Sequence, residues 1–193
     1  MNVYEAIRGR RTVGRVKQDP VPREKVERLL EAANWAPSHH ATEPWRFFVM
    51  TGEGRDVLAQ AYADIAAEQA QTADAEALAE LRAKHAAKAY RAPVIIAAAV
   101  SPSNAPKVDR REELAAAHAA VQNLLLAAHA EGLGAIWRSG EPMYDPIMNS
   151  AFGLKEGDVL VGLIYLGYPD IELPEGRRRP VQEKTVWLTG QQV

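Results

Sequence analysis

The chain alternates between short, nearly continuous apolar runs and longer stretches whose apolar residues recur every three to four positions. Three runs read as buried strands: WRFFVMT from Trp45, APVIIAAAVS opened by Pro93, and DVLVGLIYLGYP from Asp158. A shorter one, GAIWRSG, reads as a strand ending in a turn. The helical rhythm is clearest in REELAAAHAAVQNLLLAAHAEGLG, where Leu114, Ala117, Val121, Leu125 and Ala128 form one stripe and Gly132 suits a C-terminal stop. PVPREKVERLLEAANWA predicts a second helix, with Pro22 near its first turn and Val26, Leu29, Leu30 and Ala33 on one face. NVYEAIRGRR predicts a short first helix, capped by Asn2 with Glu5 in the capping-box position. From Gly54 to Ala89 there is no proline, which predicts one long helix or two, with an apolar content that is mostly alanine. The tail, RRRPVQEKTVWL, is expected to end in one more strand. Strands separated by helices predict a mixed α/β or α+β sheet covered by helices. No repeat and no linker divides the chain, so one domain is expected over residues 1–193.

Composition narrows the function classes. With 47% hydrophobic and 25% charged residues, the 193-residue chain has the make-up of a soluble globular domain with a full core. A net charge of −2 gives no basic field for nucleic acid. No cysteine is present, which excludes disulfides, thiolate metal sites, iron–sulfur clusters and a cysteine nucleophile, and fits a reducing cytoplasm. MNVYEAIRGRR lacks a signal-type apolar run, and no stretch of about 18 uninterrupted apolar residues occurs, so no membrane association is expected.

Four kinds of site compete. VMTGEGRDVLAQ places Gly52 and Gly54 where a dinucleotide fingerprint would start, but its third glycine is replaced by Val57. The adjacent His39 and His40 suggest a metal, yet an extended or helical segment would point them apart. His118 and His129 share a helix side but sit roughly 16 Å apart, too far for one ion. Ser139 lies in no nucleophile elbow. The fourth kind is an anion site. Arg8 is explained as a cation at a helix C-terminus, but Arg10, Arg11 and Thr12 exceed what a cap requires. Trp137, Arg138 and Ser139 repeat that chemistry with an aromatic face added. Together with Trp35 and Trp45 they describe a site for a flat, phosphorylated, partly anionic cofactor.

IRGRRTVGRV, WAPSHHATEPWRFFV, GLGAIWRSG, and VLVGLIYLGYP followed by RRRPVQEKTVW occur in the order seen in FMN-dependent nitroreductases. The chain resembles the short, single-domain branch of that family over nearly its whole length, least from about residue 54 to 89. The resemblance implies an α+β sandwich, a central mixed β-sheet covered by helices, and an intertwined homodimer with two FMN molecules at the interface. It implies that Arg10, Arg11 and Thr12 contact FMN, as do Trp137, Arg138 and Ser139. Trp35 and His39 match positions that reach the cofactor from the partner subunit, and the helix end at Ala127 to Gly132 matches a region associated with the nicotinamide nucleotide. Ala41 and Glu43 depart from the family's common Asn and Gln, Thr12 stands where Ser is usual, and Arg177–Arg179 offer either a phosphate contact or a solvated basic tail.

The implied reaction is ping-pong. NADH or NADPH gives hydride to FMN, and the reduced flavin serves a small-molecule electron acceptor such as a nitroaromatic or quinone. Arg10 or Arg11 would stabilise the charge on the reduced ring, His39 would orient the ring, and no catalytic side chain is expected. The alternatives are a non-catalytic or sensor-type flavin-binding protein and a histidine-based metal hydrolase.

Overall fold

The computed structural model describes residues 1–72 and 74–188. Helix α1 (Val3–Gly9) is closed by the expected capping box, in which Asn2 accepts from the Glu5 amide while Glu5 accepts from the Asn2 amide. Helix α2 (Arg23–Asn34) buries Val26, Leu29 and Ala33. Strand β1 (Trp45–Thr51) leads into α3 (Asp56–Glu68) and α4 (Ala75–Ala86), so the proline-free stretch resolves as two helices. A single 3-10 turn (Ala87–Tyr90) joins them to β2 (Val94–Val100). The long helix α5 (Arg110–Ala130), strand β3 (Gly134–Arg138), two short helices not evident in the sequence, α6 (Glu141–Tyr144) and α7 (Pro146–Ala151), and strand β4 (Val159–Gly167) complete the order.

The four strands form one sheet in the order β1-β2-β4-β3, every pair antiparallel. The parallel component that makes the sheet mixed is a single bridge, Thr12 to Ala135, at the outer side of β3. β2 and β4 are central, and alternate residues feed opposite cores. Val94, Ile96, Ala98 and Val100 meet α2 and α5, whereas Ile95, Ala97 and Ala99 meet α3 and the residues around α6 and α7. Being covered on both faces, β2 is buried at every position, which is why its sequence reads as an unbroken apolar run. β1 differs from expectation: it is the sheet edge, and only Trp45 and Met50 are buried. An antiparallel β1–β2 pair also removes the crossover that a dinucleotide-binding unit needs, which disposes of the Gly52–Gly54 reading. The tail corrects a further expectation. After a 3-10 turn at Val181–Lys184, residues 185–188 form no strand among the described residues.

The loop between α2 and β1 is unusual. His40, Ala41 and Glu43 all have positive φ (60°, 51° and 46°), a conformation that costs a non-glycine residue about 1–3 kcal/mol. A polar chain holds it. The Glu43 amide donates to Ser38 Oγ at 2.9 Å, Ser38 and Thr42 hydroxyls lie 3.2 Å apart, and Thr42 donates to Glu113 at 2.5 Å. Glu113, in the first turn of α5, is 1% exposed and also accepts from the Ser103 amide at 3.0 Å. Two loops are therefore tied to one buried carboxylate. Glu113→Ala is expected to leave both donors unpaired and to lower stability by about 1–3 kcal/mol, measured by urea denaturation.

Candidate functional site

β3 brings two basic regions to its two ends. At its start, the segment after α1 runs alongside: Val13 donates its amide to the Ala135 carbonyl at 2.9 Å, and Thr12 bridges Ala135. The approach is so close that a Cβ on Gly134 would lie 2.7 Å from Val13 Cγ1. On the helix side, a Cβ on Gly9 would lie 2.7 Å from His129 Nε2, so the end of α1 rests on the end of α5. This packing gathers Arg10, Arg11 and His129, with Arg178 of the tail nearby. Arg10 is lowered from the ordinary arginine value by burial, then by Arg178 and Arg11. His129 is lowered by burial, then by Arg10 and Arg11. Among the described residues none of the four forms an ion pair. Arg11 has a structural task, since its guanidinium donates to the carbonyls of Pro174 (2.9 Å), Arg8 (2.5 Å) and Arg10 (2.8 Å). It pins the tail and sets the local charge, while Arg10 makes no side-chain hydrogen bond among the described residues.

At the other end of β3, the WRS residues open a cavity of about 490 Å³. The Trp137 indole donates to the Val161 carbonyl at 2.9 Å, fits over Gly162, where a methyl group would overlap it, and stacks on the His118 ring at 5.6 Å. Arg138 lies on the opposite face of the strand, its guanidinium 5.3 Å from the Tyr165 ring centroid. Its Nε is buried with no hydrogen-bond partner. An unmatched buried guanidinium donor in a cavity wall is what a ligand acceptor atom would satisfy. Ser139 is exposed at the rim, and Gly140, at φ 120°, turns the chain into α6 in a conformation open to glycine. Tyr62, Lys88, Arg91 and Tyr165 complete the polar lining.

Trp35 and His39 are not brought to this cavity within one chain. Trp35 is 78% exposed and donates to Glu31 at 2.8 Å, whereas Trp45 is 8% exposed and donates to Asn34. The histidine pair corrects the sequence expectation: the rings do not diverge but stack, with centroids 4.1 Å apart, because the positive φ of His40 folds the chain back. Among the described residues no three His, Asp or Glu side chains converge on a metal position. Among them, too, no helix is long and apolar enough to cross a membrane. A larger hollow of about 650 Å³ lies between α2 and the ends of β1 and β2, but it holds none of the predicted residues. Its charges are already matched, Arg23 by Glu27 and Arg55 by the carbonyls of Gly52 and Ala92.

Sequence reasoning missed Lys88, Arg91, Tyr62 and Tyr165, and placed His129 only within the Ala127–Gly132 helix end, not in the basic cluster. By itself His129 was visible as a helix residue far from His118. Its place in a basic cluster depends on α1 docking against α5. The cation pair Lys88 and Arg91, bracketing the entry to an apolar strand, was a signal that could have been read.

The Nitroreductase family model matches residues 7–168. A protein of Escherichia coli K12, provisionally named NAD(P)H nitroreductase YdjA, is 34% identical over 172 residues, covering 89% of this chain and 91% of that protein. The crystal structure of a nitroreductase-like family protein from Bacillus cereus superposes with a TM-score of 0.83 at 30% identity, over 98% of this chain and 97% of that one. A structure from Desulfovibrio desulfuricans, provisionally called a nitroreductase and solved in complex with FMN, gives a TM-score of 0.70 at 30% identity, with 97% of each chain covered.

The basic cluster makes a pH prediction. Because folding lowers the His129 pKa, the unfolded chain binds the proton more readily, and stability falls as pH drops below the ordinary histidine value of about 6.5. The loss ends once the pH is below the folded value. His129→Asn is expected to flatten part of the decline in melting temperature between about pH 7.5 and 5.5. A slope unchanged from wild type would refute this. The remainder includes His85, lowered by burial and by Lys88 and Lys84.

Proposed function

The chain belongs to the nitroreductase family, and from that premise we propose that it is an FMN-dependent oxidoreductase that takes hydride from NADH or NADPH and reduces a small organic acceptor such as a nitroaromatic or quinone. The observation that carries the reading is the pair of unmatched basic positions along β3: the Arg10–His129 cluster at one end and the buried, unpartnered Arg138 Nε at the other. From Ala135, beside Thr12, to Ser139 the strand advances roughly 13 Å. That separation suits an elongated ligand with an anionic tail and a planar, heteroatom-edged head, which is the chemistry of FMN.

Bound FMN would supply the redox chemistry, accepting a hydride in one half-reaction and returning reducing equivalents in the next. The residues of this chain bind and tune it. Arg10, reinforced by the charge of Arg11 and Arg178, holds the phosphate; the Thr12 hydroxyl stands beside it. Arg138 donates to the heteroatom edge of the ring and, as a fixed positive charge in a partly buried wall, favours the anionic reduced form. Trp137, locked by its hydrogen bond and by His118, lines the strand between the two, and Ser139 meets the ring at the rim. No nucleophile and no essential acid is required.

Trp35 and His39 act across a homodimer interface. Support comes from what one chain leaves uncovered: Val3, Tyr4 and Ile7 on α1 and Val186, Trp187 and Leu188 in the tail are all more than half exposed. At the other side of the sheet β1 leaves an open edge, and residues 185–188 of the tail form no strand pairing among the described residues. Light scattering is expected to give twice the chain mass of 21.2 kDa.

The purified protein should be yellow and should bleach within seconds when NADH or NADPH is added without oxygen. Slow bleaching would indicate a flavin-binding module instead, and a colourless preparation that rejects FMN would sink the reading. Arg10→Ala and Arg138→Ala are each expected to weaken FMN binding at least about tenfold, read by quenching of flavin fluorescence. Wild-type affinity in both variants would show that the site is misplaced.

A further inference from the structure

The cavity at the end of β3 carries more positive charge than a flavin ring requires. Lys88 and Arg91 enter it from the turn between α4 and β2, and Arg138 enters from β3. None of the three forms an ion pair among the described residues, and no carboxylate lines the cavity. The only side-chain hydrogen bond of Lys88 among those residues is to His85 Nδ1, at 3.1 Å. Burial, then the charges of Arg91 and Lys84, lower the Lys88 pKa. A partly buried ammonium that faces like charges is a destabilised arrangement, and a bound anion relieves it. The phosphate already has its own cluster, Arg10, Arg11, His129 and Arg178, at the far end of the strand, so it does not account for these cations.

The rest of the lining fits an aromatic acid. The Tyr62 and Tyr165 hydroxyls lie 3.1 Å apart and share one hydrogen between them, which leaves the other hydroxyl hydrogen to be donated elsewhere. Burial raises both phenols above their ordinary value, first among the causes in each case, so both remain protonated donors at neutral pH. Met143 and Leu163 supply an apolar wall for a ring. A volume of about 490 Å³ is within the range of small-ligand sites.

We propose that this cavity is the acceptor subsite for a planar organic anion, an aromatic ring bearing a carboxylate, with Lys88 and Arg91 taking the charge and the Tyr62–Tyr165 pair donating a hydrogen bond. The assignment rests on the oxidoreductase reading of the same site and gives that reading a substrate class. It also explains why the cavity keeps two cations besides Arg138, which the flavin edge engages, in a chain whose net charge is −2.

The test is calorimetric titration of the protein as purified, with its flavin and without nicotinamide nucleotide, so that nothing turns over. 4-Nitrobenzoate and its neutral counterpart 4-nitrobenzyl alcohol are the probes. The carboxylate is expected to bind about tenfold more tightly at low ionic strength, and the preference should shrink in high salt. Lys88→Gln and Arg91→Gln should each reduce the preference several-fold, and the double variant should bring the ratio near one while the visible spectrum stays unchanged. Equal affinity for the two probes in wild type, no binding of either, or a preference that survives the double variant would overturn the proposal. Bleaching by nicotinamide nucleotide is recorded separately. A protein that bleaches but shows no preference loses only the subsite, and one that shows the preference but never bleaches loses only the reductase reading.

Discussion

β3 lies between β4 and the segment after α1 at distances that leave no room for a side chain at Gly134, where a Cβ would fall 2.7 Å from Val13. At its other end, the Trp137 indole occupies the space over Gly162. Two bare backbone positions therefore set how closely the first segment and the indole can approach the sheet. The predicted polar residues of the candidate site hang from that strand: Thr12 and Arg10 beside its start, Arg138 and Ser139 at its end. Shifting the register by one residue would exchange the faces of Trp137 and Arg138 and dismantle both ends at once.

Charge is arranged against stability along the same line. Beyond the effect of burial, Arg10 is lowered by Arg178 and Arg11, His129 by Arg10 and Arg11, and Lys88 by Arg91 and Lys84. Some cations elsewhere are matched, as Arg28 is by Glu131 and Arg82 by Asp64. Cations gathered in this way are the arrangement that the proposed anionic ligand would relieve. Glu113 shows the opposite use of a buried ionisable group. It faces only hydrogen-bond donors, and it fixes the strained loop that carries His39 to the exposed side of the molecule.

Much of the fold was legible because helices and buried strands impose strict periods. The capping box, the stripe on α5 and the unbroken apolar run of β2 each appeared where the pattern required. β1 was misjudged because an edge strand rich in aromatic residues has the same local composition as a buried one, and strand order is not a local property. α6 and α7 were missed because helices of 4 and 6 residues complete too few turns to show a period. The divergence expected of His39 and His40 failed since it presumed regular backbone, and left-handed φ at alanine and glutamate positions has no sequence signal.

By itself, the sequence determined the element types, the exclusion of thiol chemistry and the identity of two basic-aromatic segments, since these depend on residue type and near-neighbour spacing. The tertiary structure decided which charges meet. Arg10 and His129 are 119 positions apart and share a cluster through helix docking; Lys88, Arg91 and Arg138 share a cavity through the sheet order β1-β2-β4-β3. Electrostatic energy depends on distance through space, and that distance is fixed only when the packed elements close on one another.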